Sequence, residues 1–107
     1  MKRTDIPASL LTDFKNALNI TWHDHGTDRR IAEYIASGAA YLCDKAGTRL
    51  PFLTDGEPRT LLLEYVRYAR DEALDVFEIN YRSRIIALRN RYKVKKYVDE
   101  AEPNGAD

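Results

Sequence analysis

The chain has 107 residues, 44% of them hydrophobic, with 17 basic and 17 acidic side chains and a formal net charge of zero. That length gives one domain with a modest core, at a size where burial is inefficient and association is a common remedy. The even charge balance argues against a simple nucleic-acid or membrane-surface binder, whose domains carry a basic excess.

Met1-Lys2-Arg3 leads into Asp5 and Pro7 rather than an apolar run, so no signal peptide is expected. Pro7 suits the first turn of a helix, with Asp5 placed to cap it. Leu10, Leu11, Phe14, Ala17 and Leu18 follow one helical face and predict a first helix over 7–18. Trp22-His23-Asp24-His25-Gly26 reads as a loop. His23, Asp24 and His25 bring metal-ligand residue types together, but no third strong ligand beside the two imidazoles stands at a recognisable spacing. Polar loop residues are the expectation, with no metal and no cofactor.

Thr27 is a good N-cap with Asp28 behind it, favourable to the positive end of the helix dipole. Ile31, Ile35, Ala39 and Leu42 then line one face of a second helix that Gly47 ends. Gly38 costs about 1 kcal/mol relative to alanine inside a helix, and its presence predicts a close helix–helix approach. Cys43 stands alone, so no intrachain disulfide is possible; a buried small thiol and a reducing compartment fit. Pro51, Gly56 and Pro58 mark residues 48–58 as a loop, with Leu50, Phe52 and Leu53 tucked beneath it.

From Arg59 to Glu102 no glycine or proline interrupts the chain. Leu62, Val66, Ala69, Ala73, Phe77, Tyr81, Ile85, Leu88 and Tyr92 recur at intervals of three and four, a helical stripe. A continuous helix to about Tyr97 would be roughly 58 Å long at about 1.5 Å per residue. A compact domain of this size is roughly 35 Å across, so the helix would overshoot by some 20 Å. Either it bends near Asn80–Ser83 and packs back, or a neighbouring subunit covers its outer part; the second is the expectation. The resulting architecture is all-α: a small bundle of three to four helices over 1–98. It has a long helix over 59–90, a flexible basic arm over 91–98 and a disordered tail over 99–107. No long apolar run is present, so nothing is expected to span a membrane.

Charge in this segment is sorted along its length. Glu64, Asp71, Asp75 and Glu78 give an acidic face; Arg82, Arg84, Arg89, Arg91, Lys95 and Lys96 give a basic end. With Tyr81, Ile85, Leu88, Tyr92 and Tyr97, that basic end is the expected contact with another subunit or partner, tyrosine being common in interfaces. Catalytic chemistry finds no purchase. No nucleophile elbow or cysteine-protease signature surrounds Ser9, Ser37, Ser83 or Cys43, and the glycines form no phosphate loop.

Ile20-Thr21-Trp22 after a short amphipathic helix, then Asp24, Thr27-Asp28, Ile31, Ile35, Gly38, Leu42 and Gly47, resemble the opening of the head–tail connector proteins of long-tailed bacteriophages. Arg59 to Leu63, Tyr65, Arg67-Tyr68, Ala73, Phe77, Asn80-Tyr81 and Ile85 are similar to the closing helix of some members. The resemblance covers roughly residues 10–90; the end after Leu88 departs from it. It implies a mostly helical, non-enzymatic virion protein that assembles as a homo-oligomeric ring beneath the portal protein. Such a ring extends the DNA channel without reading sequence and offers a docking surface to the next connector or tail protein. It implies residence at the head–tail interface of the virion, and in the host cytoplasm during assembly. The rival expectation is a small helical DNA-binding regulator using Arg82–Lys96, for which no tight helix-turn-helix pair is visible in the sequence.

Overall fold

Four helices make up the computed structural model, which describes residue 2 and residues 5–101, with side chains through 95. They are α1 (Ala8–Ala17), α2 (His25–Ala46), α3 (Glu57–Arg70) and α4 (Leu74–Ala101). No strand occurs among the described residues. The fold is all-α, as the periodicity predicts.

Local chemistry sets the helix starts. Pro7, not Asp5, is the N-cap of α1, and no side chain caps it. Asp24, not Thr27, caps α2: its carboxylate accepts from the Thr27 N–H at 2.9 Å and from the Thr27 hydroxyl at 3.0 Å. Aspartate three positions before the expected cap does better than threonine there, because the charged acceptor also meets the positive helix end. Those hydrogen bonds hold the Asp24 carboxyl below its usual range. Gly56 and Pro58 open α3.

The first three helices end the same way, on a left-handed residue with a hydrogen bond spanning five residues back. At α1 it is Asn19 (φ 62°), with Ile20 N–H to the Lys15 carbonyl at 2.8 Å. At α2 it is Gly47 (φ 73°), with Thr48 N–H to Cys43 at 3.2 Å. At α3 it is Glu72 (φ 56°), with Ala73 N–H to Tyr68 at 2.9 Å. These closures satisfy carbonyls that each helix end would otherwise leave bare.

The Glu72 closure corrects the sequence reading. The segment from Arg59 is two helices, broken at Asp71–Ala73 and not near Asn80–Ser83. α4 therefore doubles back along α3, where Arg84 reaches Glu57 and Tyr81 reaches Glu64. The expected stripe is real, but this chain shelters it: Phe77, Ile85 and Leu88 are buried and Tyr92 packs at the edge. No neighbouring subunit is needed to cover Ile85 or Leu88. Arg67 pairs with Glu64 one turn before it, at 3.4 Å, while Asp71 caps the end of the helix.

α2 is the central element, packed against the other three helices. Ile31, Ile35, Ala39 and Leu42 from α2 join Leu61, Leu62 and Val66 from α3, Leu10 and Phe14 from α1, and Phe77 and Leu88 from α4 in one core. Each large side chain so buried contributes about 1.5–3 kcal/mol relative to exposure. Gly38 is the expected close approach. A Cβ there would lie 2.6 Å from Tyr65 Cδ1 and 2.8 Å from Leu62 Cδ1. The expected 48–58 loop ends at Gly56, since Glu57 and Pro58 already belong to α3. Within it Leu50 and Phe52 are buried, but Leu53 is exposed, its neighbour Phe52 taking the inward position. Cys43 is half-buried against the core.

The molecule measures 52 × 30 × 19 Å with a radius of gyration of 15.5 Å. A compact chain of this length would have about 13 Å. The excess comes from α4, whose residues beyond Tyr92 add length without adding core. The arm expected over 91–98 continues α4 as helix, as do 99–101; the rest of the expected tail, 102–107, lies outside the described residues.

Candidate functional site

An aromatic cluster fixes the inner face of α4. Phe77 is fully buried and stacks on Tyr81 at 5.0 Å between ring centroids, with Tyr65 at 5.6 Å and Tyr68 at 5.8 Å edge-on. Tyrosine suits such a site because its ring packs while its hydroxyl reaches a polar partner. Tyr81 donates to Glu64 at 3.1 Å, and Tyr41 of α2 donates to Glu78 at 3.1 Å. Burial, together with the Glu78 hydrogen bond, pushes the Tyr41 phenol up to about 12; burial and Glu64 raise that of Tyr81.

These contacts redistribute the residues expected to meet a partner. Ile85 and Leu88 lie in the core, Tyr81 and Tyr92 at its edge. Arg84 is held by Glu57 through two hydrogen bonds of 2.7 and 2.8 Å, and its guanidinium lies 5.2 Å from the Tyr81 ring. Of the acidic set, Glu64 serves Arg67 and Tyr81, and Glu78 serves Tyr41. Asp71 and Asp75 are exposed. Arg82, Arg89, Arg91 and Lys95 are exposed, the Lys95 ammonium 5.8 Å from the Tyr92 ring. The side chains of Lys96 and Tyr97 lie outside the described residues.

What faces outward instead is a second stripe. Ile79 is 69% exposed and Ile86 49%, and Val76 and Val94 are exposed beside them. Ile79 and Ile86 stand seven residues apart, so they share a face to within about 20°. That face is opposite Phe77 and Leu88. Sequence reasoning passed over Val76 and Ile79 because the inner stripe was richer. The signal was present all the same: two isoleucines at heptad spacing, out of step with the inner stripe.

Between α2 and α4 the outward stripe borders a groove of about 280 Å³ lined by Tyr41, Lys45, Glu78, Arg82, Ile86 and Arg89. None of its cations joins the ion pairs among the described residues. The groove is half-open, with Lys45, Arg82 and Arg89 giving it basic character and Ile86 an apolar contact. No group of three or more His, Cys, Asp or Glu side chains that could hold a metal comes together among the described residues; the Asp24 carboxylate is spent on its cap. No described helix is long and apolar enough to cross a membrane.

The chain matches no known family, no curated protein and no solved structure.

Proposed function

We propose that this protein is a structural connector subunit of a tailed bacteriophage, assembling as a ring beneath the portal and offering a docking surface to the next connector or tail protein. The observation that carries the reading is the outward face of α4, apolar at Val76, Ile79, Ile86 and Val94 on a helix that runs past the core. Water is a poor cover for such a stripe, and a protein surface is a good one. The resemblance in the sequence supports the same reading: its apolar positions Ile31, Ile35, Leu42, Leu61, Leu62 and Phe77 are core, and its Gly38 is a helix contact.

A closed ring needs two unlike faces on each copy. The outer face of α4 supplies one. Trp22 and Leu53, exposed in the loops flanking α1 and α3, are the best apolar positions for the other. DNA would pass through the ring without base contacts.

The test is binding of the purified protein to isolated portal, followed by electron microscopy of the product. Rings seated on the portal support the reading; absence of binding under every condition removes it. The DNA-regulator alternative gains a tight α3–α4 turn from the structure. It loses on charge, because the helix N-terminus that would enter the groove carries Asp75 and Glu78.

A further inference from the structure

The outward face of α4 carries charge sorted by position as well as apolar side chains. Asp75 precedes Ile79 on this face; Arg89 and Lys93 follow it. All three are exposed, and none joins the ion pairs among the described residues. Acidic and basic halves therefore sit on one side of one helix. A parallel copy would set acid against acid and base against base. An antiparallel copy sets each half against its opposite, and does so twice.

From this we infer that α4 pairs with α4 of a second copy, antiparallel, about a two-fold axis beside Arg82 and Ser83. In that register Ile79 meets the partner's Ile86, and Asp75 falls beside the partner's Arg89. Ser83, small and exposed, lies next to the axis, where two helices approach most closely. Like residues equidistant from the axis meet twice, the mark of an isologous contact. The contact runs along about 25 Å of helix. One helix pair is a small interface, so the dimer is weak, with a dissociation constant on the order of micromolar. It rests on α4 alone and does not need the connector reading. In a connector subunit, though, the dimer would hide the face that the ring requires.

The full chain, followed by sedimentation equilibrium over a wide concentration range, should show monomer and dimer, with I79K abolishing the dimer. D75R and R89E should each weaken it by about tenfold, since the two-fold counts each contact twice. The two changes in one chain should restore it, which a folding defect would not. In a C43S background, I79C chains should form disulfides with I86C chains in a mixture, and neither with itself. A monomer at every concentration, failure of the double reversal to restore, or self-linking of I79C each overturns the pairing. Portal binding without self-association would remove this inference and leave the connector reading; a dimer blind to portal would do the reverse.

Discussion

Arg84, on the third turn of α4, grips Glu57, the first residue of α3, through paired nitrogens 2.7 and 2.8 Å from its two carboxylate oxygens. The pair joins the middle of one helix to the start of the other, so it helps fix the register in which α4 folds back. Both side chains are partly exposed, which limits their worth to about 1 kcal/mol. Arg84 holds the Glu57 carboxyl below its ordinary value of 4.5. A carboxyl depressed by folding stabilises fully above its unfolded value, and the gain is lost as pH falls through the folded one. Melting temperature should therefore fall on acidification below about pH 4.5, and less so in Glu57→Gln. Thermal melts of the two proteins across that range check this; equal pH slopes would show that the pair contributes nothing.

Gly38 should tolerate no side chain. Alanine gains about 1 kcal/mol of helix propensity but inserts a Cβ against Tyr65 and Leu62, an overpacking that costs about 1–3 kcal/mol. Gly38→Val, larger and β-branched, should cost more. Urea denaturation of Gly38→Ala and Gly38→Val, with the order reversed or no loss in either, would reject the close approach.

Glu72 occupies a backbone region that costs an ordinary residue about 1 kcal/mol. Glu72→Gly should be neutral or stabilising by up to about 1 kcal/mol, although glycine usually destabilises. Glu72→Val should destabilise, because a β-branched side chain resists that conformation. The midpoint of chemical unfolding is the readout, and a large loss in Glu72→Gly would mean that the turn is built otherwise.

Leu88 and Ile79 separate the two faces of α4. Leu88→Ala should cost about 2–5 kcal/mol, as for a fully buried leucine. Ile79→Ala, measured in dilute solution where the chain is monomeric, should change stability by no more than about 0.5 kcal/mol. Similar losses at both positions would contradict the placement of the core.

Much of the fold is legible in the residues. The inner stripe from Leu62 to Tyr92, the end of α2 at Gly47 and the contact at Gly38 follow from periodicity and from what glycine permits. The break at Asp71–Ala73 was not legible, since no glycine or proline marks it. A glutamate in a left-handed conformation carries no local signature; burial of Phe77, Ile85 and Leu88 against α2 and α3 outweighs its small cost.

The same turn decided the candidate site. The amino-acid order alone set the charge gradient along α4 and two helical stripes on it, because helix geometry assigns every residue a face. Which stripe went inside depended on the direction in which α4 left α3, a tertiary matter. Folding back sealed Ile85 and Leu88 into the core and left Ile79 and Ile86 outside, so the surface open to a partner became the opposite side of the helix.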